Sequence, residues 1–385
     1  MKKIMLIAAL GGLFAATAAQ AQTAIYICGS TAFRSNAYRA IKAMFDGGNP
    51  AVNAQGKGSG AGMMTFQGTI ASLFGGNTVT IYCDWTGSAQ GVHSLTANPG
   101  DSLTFLQNAS PDGDTTTTTH TADLAFSDVF QATTGFSTPS LTDEEVAIQP
   151  FVWVKSPSTD ARVTNISMQN LKYAIVGSCP LSYLIGSTNA ADYNTIVYFT
   201  GRNKDSGSRL IALSDAAYSG SVNIYSNFLG SPVKMSASQI VNGVNYGPGF
   251  SSGGTEAGNI AATPGFNFIG YLGYADARTV VAAGGQILTY NGLLPFTGGS
   301  TTTTNGMDVP NFSPILSGQY SMWGPEHLFI NPANGNYSAA YAIYTNIVPY
   351  INADITNTAN GFTTAIQLSA MGNTTRTSDG GKIAP

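Results

Sequence analysis

The sequence predicts an α/β protein of two lobes, and three observations predict it. Short β-rich apolar runs end in Gly/Ser/Thr turns and pass into helix-compatible stretches, the alternation of a parallel α/β sheet. At 385 residues the chain exceeds what one hydrophobic core usually organises. A long apolar run in mid-chain, Glu145 to Val154, reads as a buried strand able to carry the chain from one lobe to the other.

The first 21 residues read as an export signal. Lys2 and Lys3 form a positive start, Ile4 to Ala19 supply the apolar and small-residue stretch, and Ala19-Gln20-Ala21 gives an A-x-A cleavage site. A mature chain of about 364 residues would start at Gln22, in a periplasm or secreted. No cysteine stands at the cleavage point, so no lipid anchor is expected. No later segment offers the roughly 18 uninterrupted apolar residues of a membrane span.

The first β-run, Ala24 to Cys28, leads into Gly29-Ser30-Thr31, followed by helical spacing through Ala37, Ala40, Ile41, Met44 and Phe45. The second, Thr78 to Cys83, leads through Asp84-Trp85-Thr86 into Gly87-Ser88-Ala89-Gln90-Gly91 and then Val92-His93-Ser94-Leu95. The third, Ala122 to Phe126, ends in Ser127-Asp128. Ligands of open α/β sheets collect beyond the carboxyl ends of strands, where all three turns would sit. Asp112-Gly113-Asp114 with Thr115–Thr119, and Thr301–Thr304, read as exposed loops. Asp143-Glu144-Glu145 reads as a helix start, where the dipole favours carboxylates.

After the crossing strand comes Ile196 to Phe199 and then Gly201-Arg202-Asn203-Lys204-Asp205-Ser206-Gly207-Ser208-Arg209, ahead of the helix-compatible Leu210 to Asp215. A strand ending in a Gly/Ser turn and entering a helix presents free N–H groups at a positive dipole end. An arginine there adds a planar charged fork suited to phosphate. Phe268 to Ala275 reads as the return crossing. The boundaries are then 1–21 signal, 22–152 first lobe, 153–274 second lobe, and 275–385 return and tail, with Thr374 to Pro385 expected to fray.

Charge and cysteine content narrow the classes of function. Only 9% of residues are charged, against about 25% in an average soluble domain. Losing Lys2 and Lys3 takes the formal charge from −4 to −6, and no basic stripe serves nucleic acid. Cys28, Cys83 and Cys179 are an odd number, read as buried thiols, with a Cys28–Cys83 pair the alternative. His93, His120 and His327 lack ligand spacing, so neither metal nor other cofactor is expected. No histidine is spaced to activate a serine, and no enzyme is expected. Trp85 and Trp153 read as core, Arg34 and Arg209 as helix-face or rim residues.

In motif order the chain resembles the Pst-type phosphate-binding proteins of ABC importers, members of the periplasmic binding protein superfamily. The matching stretches are Gly29-Ser30-Thr31-Ala32-Phe33, Gly87-Ser88-Ala89-Gln90-Gly91, Ser127-Asp128, Arg202 with Ser206-Gly207-Ser208, and Ile269-Gly270-Tyr271. They span most of the mature chain. The resemblance implies a type II fold, each lobe a mixed, mostly parallel sheet flanked by helices. It implies a monomer that binds phosphate between the lobes through Ser30, Thr31, Ser88, Asp128, Arg202, Ser206, Gly207 and Ser208, with an ABC permease as partner. Two departures stand out: Ser208 replaces the family's usual threonine, and Lys204 stands near the arginine where relatives carry its aspartate partner, with Asp205 one place later. The alternatives are a binder of another tetrahedral oxyanion and a secreted structural or surface protein that keeps the fold without transport.

Overall fold

The computed structural model describes residues 22–97, 101–227, 230–236, 240–241, 244–245, 248–262, 265–297, 310–357 and 365–384. The expected signal and its cleavage point lie outside the described residues, as do Thr301–Thr304 and Pro385. Among the described residues no helix is long and apolar enough to cross a membrane.

The architecture is α/β, built on one sheet of eleven strands. In chain order its parts are β1 (Thr23–Gly29), α1 (Arg34–Met44), β2 (Ala51–Asn53), β3 (Met63–Thr69), β4 (Thr78–Asp84), α2 (Ser88–Thr96), β5 (Leu124–Ser127) and β6 (Thr142–Lys155). They continue with β7 (Ser178–Pro180), β8 (Ile196–Phe199), α3 (Gly207–Asp215), α4 (Gly253–Ala261), β9 (Asn267–Gly273), α5 (Tyr274–Ala282), β10 (Trp323–Ile330), α6 (Tyr337–Asn346) and α7 (Val348–Thr356). The strand order is β7-β8-β9-β6-β10-β5-β1-β4-β3-β2, with Gln286–Ile287 pairing on β6 as the eleventh. The pairs β1–β4, β1–β5 and β8–β9 are parallel, and the remaining pairs in the sheet are antiparallel.

β6 joins the two lobes. Its first half, through Pro150, pairs with β10, and its second half, Phe151 to Lys155, pairs with β9. Two large cores follow this division. One gathers Ile25, Ile27, Phe66, Ile81, Phe126 and Leu328; the other gathers Trp153, Val197, Phe199, Ile269, Tyr271 and Trp323. Separate cores linked by continuous strands are what two lobes require. The segment beyond residue 274 first adds α5 and Gln286–Ile287 to the second half of β6; the first half meets the chain again at β10.

Periodicity explains the elements around the site. α1 buries Asn36, Ala37, Ala40, Ile41 and Met44, the stripe of an amphipathic helix on a sheet. Ser206 caps α3, its Oγ accepting from the Arg209 N–H at 3.4 Å, and Ser252 caps α4 by accepting from Thr255 at 3.2 Å.

Two expectations need correction. Asp143-Glu144-Glu145 does not start a helix but opens β6, because the β-branched and aromatic run behind it continues the strand back to Thr142. There Asp143 Oδ1 lies 2.9 Å from His327 Nδ1 of β10, in hydrogen-bond contact. The tail does not fray: Thr374 and Arg376 are buried, and Thr375 and Ala384 exchange backbone hydrogen bonds of 3.0 and 2.9 Å. It carries its own anchors, described below.

All three cysteines are free and buried. Cys83 sits opposite Ile27 across the β1–β4 ladder, so Cys28, one residue on, points to the other face of the sheet. The Cys28–Cys83 pair is thereby ruled out by geometry, and the buried-thiol reading stands.

Candidate functional site

Three strand ends of the first lobe converge on two helix starts of the second. After β1 the chain turns at Ser30 and Thr31, after β4 it turns through Gly87 into α2, and after β5 it turns at Asp128. Ser30 N–H donates to Phe126 O at 2.8 Å, and Gly87 N–H donates to Gly29 O at 2.9 Å, which ties the three turns together. Ser30, Thr31, Ser88 and Asp128 are all buried. The Ser88 hydroxyl donates to Asp128 Oδ1, and the Asp128 N–H donates back to Ser88 Oγ at 3.3 Å.

The second lobe answers with Arg202, which is 3% exposed. Its Nε donates to Phe250 O at 3.1 Å and its Nη2 to Ser251 O at 2.8 Å, which fixes the guanidinium plane. Nη2 also donates to Thr31 Oγ1 at 3.0 Å, and Nη1 to Ser208 Oγ at 3.5 Å. Ser206 and Ser208 share a hydrogen bond of 2.8 Å at the N-terminus of α3. The backbones touch as well: Ala89 N–H donates to Asp205 O at 3.0 Å. A methyl group at Gly207 would overlap Asp128 Oδ1 and lie 2.6 Å from Ser88 Oγ, so only glycine permits this approach. Gly87, at φ +110°, faces Asp205 O in the same way.

The structure therefore brings all eight sequence-predicted residues into one cluster. Their roles within it differ. The Ser30 hydroxyl accepts from the Phe33 N–H at 3.2 Å and serves its own turn. Ser206 caps a helix. Thr31, Ser88, Asp128, Arg202, Gly207 and Ser208 meet across the lobes. Lys204 stands outside: its side chain is 80% exposed and reaches only Asp205, at 3.8 Å. Arg209 is structural, donating to Arg202 O at 2.9 Å and Pro248 O at 3.2 Å. Arg34 pairs with Asp276 of α5 at 3.9 Å.

Several members of the cluster were not among the sequence-predicted site residues. The Tyr271 hydroxyl accepts from the Arg202 N–H at 3.1 Å. Glu256 of α4 is fully buried, and Arg202 is the positive charge that acts on it. Glu326 of β10 is fully buried near Asp128. The turn Ser251-Ser252-Gly253-Gly254-Thr255 repeats the small-residue-then-helix pattern and was the available signal for α4. Nothing local marks Glu326, because only strand pairing brings it to the site.

Electrostatics follow burial. Desolvation pushes the Asp128 carboxyl up, against the pull of the Ser88 hydroxyl and Arg202. Desolvation lowers the Arg202 guanidinium, offset first by Glu256. Glu256 is pushed well above the usual carboxylate range by burial, and Asp276 is raised for the same cause. The arrangement offers a rigid cationic fork, three hydroxyls, a helix N-terminus and one carboxyl acceptor, in direct contact across the two lobes. Such groups can hydrogen-bond an anion.

No protein-family description and no curated protein matches the chain. Among solved structures it is similar to an ABC-type phosphate transport receptor from Vibrio cholerae, at 12% identity and TM-score 0.43, over 86% of this chain and 94% of that one. It is similar to a phosphate-binding protein from Stenotrophomonas maltophilia at 14% identity and TM-score 0.41, over 91% of this chain and 92% of that one. It is also similar to the regulatory domain of OxyR2 from Vibrio vulnificus, at 7% identity and TM-score 0.36, over 87% of this chain and 96% of that one. At such values the function of this chain has to be argued from its own residues.

Proposed function

We propose that this chain is an exported, non-catalytic solute-binding protein that captures phosphate between its two lobes and delivers it to an ABC permease. One observation carries the reading: the Arg202 guanidinium spans the lobe boundary, with one Nη on Thr31 and the other on Ser208. A tetrahedral anion inserted there would meet the fork, the two hydroxyls, the Ser88 hydroxyl and the first N–H groups of α3.

Asp128 gives the reading its chemical selectivity. Monohydrogen phosphate carries a proton that an ionised Asp128 accepts, whereas sulfate brings none and leaves two negative groups face to face. A micromolar Kd requires about −8.2 kcal/mol. Hydrogen bonds to charged groups contribute about 1.5–3 kcal/mol each, so four or five beyond the ordering cost suffice.

Calorimetry on the chain beginning at Gln22 tests the proposal. Phosphate is expected to bind with micromolar affinity and to raise the melting temperature. No heat and no melting shift at millimolar phosphate would remove the binding role and leave a secreted protein that uses the fold otherwise.

A further inference from the structure

The lobes touch at a second place that the anion reading leaves unused. α1 and α2 cover opposite faces of the first lobe's sheet: Ile25 and Ile27 pack with α1, and Cys28 packs with Val92 and Leu95 of α2. On the α2 face the lobes meet through backbone, Ala89 N–H on Asp205 O, beside the glycine contacts at Gly87 and Gly207. On the α1 face they meet through charge. Arg34 opens α1 just beyond Thr31, and its Nη2 lies 3.9 Å from Asp276 Oδ1 in the first turn of α5. Asp276 is set from its own lobe. A methyl group at Gly253 would overlap its Oδ2, so the carboxylate sits at the N-terminus of α4, where the dipole favours negative charge. A methyl group at Gly254 would lie 3.3 Å from Arg34 Nη2, so the arginine reaches the same helix start. The two side chains are 13% and 18% exposed, and Arg34 Nε is buried with no hydrogen-bond partner among the described residues. Burial raises the Asp276 carboxyl, while Arg34 and then Arg202 pull it back toward ionisation.

We propose that Arg34 and Asp276 form a clasp across the lobes that holds the closed state and retains the bound anion. Opening must part the pair, because each charge rides on a different body. α1 packs in the core of Ile27 and Phe66, and α5 packs in the core of Trp153 and Tyr271. Once parted, Asp276 keeps the α4 helix start and Arg34 passes to water. The single long contact and the spare Nε suit a pair that parts and re-forms. Arg202 differs, its fork being fixed within its own lobe by two carbonyls at 3.1 and 2.8 Å. A clasp acts on closure, so removing either charge works in the same direction. A field acting on the anion alone would not, since Arg34 attracts an anion and Asp276 repels it.

The test compares wild type, Arg34→Gln, Asp276→Asn and the double variant by phosphate calorimetry and small-angle scattering, with melting temperature as the check on folding. The affinity arm rests on the phosphate reading above. Each single variant is expected to weaken phosphate binding about threefold to fivefold, the scale of a partly exposed ion pair. The double variant should match the singles rather than multiply them, since the same contact is lost in all three. Without ligand, the variants should show a larger radius of gyration than wild type at a nearly unchanged melting temperature. Affinities that move in opposite directions, weaker for Arg34→Gln and tighter for Asp276→Asn, overturn the clasp. Single effects that multiply in the double variant overturn it as well. Wild type that takes no phosphate overturns the phosphate reading instead. The clasp is then decided by scattering, where an unchanged radius of gyration in the variants overturns it.

Discussion

Arg202 Nη2 lies 3.0 Å from Thr31 Oγ1, a hydrogen bond between lobes spanning 171 positions of sequence. It joins the turn after β1 to an arginine that is itself buried. Substitution of Arg202 is therefore the direct test of the anion site. Arg202→Ala is expected to weaken phosphate binding by about 3 kcal/mol or more, since two charge-assisted bonds are lost. Arg202→Lys keeps the charge but loses the planar fork and should fall between. Titration calorimetry reads both, and an unchanged affinity would place the anion elsewhere.

Gly207 tests the closed arrangement. A side chain there meets Asp128 Oδ1 and Ser88 Oγ. Gly207→Ala should keep the lobes apart while leaving each core intact. Phosphate affinity is expected to fall at least tenfold, with a larger radius of gyration by small-angle scattering and a nearly unchanged melting temperature. Full affinity in the variant would mean that the lobes close without this contact.

What the sequence disclosed, and what it withheld, divides along a physical line. Turn chemistry is local, so Gly29-Ser30-Thr31, Gly87-Ser88, Ser127-Asp128 and Ser206-Gly207-Ser208 were readable as strand-to-helix turns. Long-range pairing is not local. Glu326 reaches Asp128 only because β10 pairs with β5, and Glu256 reaches Arg202 only because α4 packs behind it. Lys204 stands in sequence where relatives carry the arginine's aspartate partner, yet the turn directs it to solvent. The acidic triplet at Asp143 was assigned to a helix start, and the continuous buried run that follows it overrode that preference.

Asp84, at the end of β4, gives a pH prediction. Burial raises its carboxyl from 3.8 to about 7, against one backbone hydrogen bond from Thr104. A carboxyl whose folded pKa is raised favours the fold while protonated. Its stabilising contribution is full below about pH 4 and is lost as pH rises through about 7. Wild type should therefore lose stability relative to Asp84→Asn between pH 4 and pH 7. Urea midpoints measured across that range read the difference, and a constant offset between the two proteins would refute the assignment.

The thiols should be inert in the folded protein. Burial raises Cys28 and Cys83 well above the ordinary thiol range, and Cys179 to about 12. The thiolate is the reactive form, so a thiol reagent at pH 8 should label none of them within minutes and all three in denaturant. A reducing agent should leave the melting temperature unchanged. Rapid labelling of one thiol would show that its strand opens locally.

The C-terminal tail is expected to act as a strap over the lobe crossing. Arg376 Nη1 donates to Trp323 O and Nη2 to Ser321 O, each at 2.7 Å, and the guanidinium lies 4.3 Å from the Trp323 ring centroid. These carbonyls lie at and just before the start of β10, the strand that returns to the first half of β6. Farther along, Asp379 Oδ2 accepts from the Phe130 N–H at 3.0 Å, two residues beyond Asp128. Gly380 packs against Ser214 O of α3, where a methyl group would overlap the carbonyl. The tail thus touches the crossing, the β5 turn and the helix that bears Ser208. Arg376→Ala removes two charge-assisted bonds and a cation–π contact and strands two carbonyls, at a cost of about 2–4 kcal/mol. It should lower the urea midpoint accordingly and expose the last residues to limited proteolysis. A tail that stays protected in the variant would show that Asp379 and Gly380 hold the strap without the arginine.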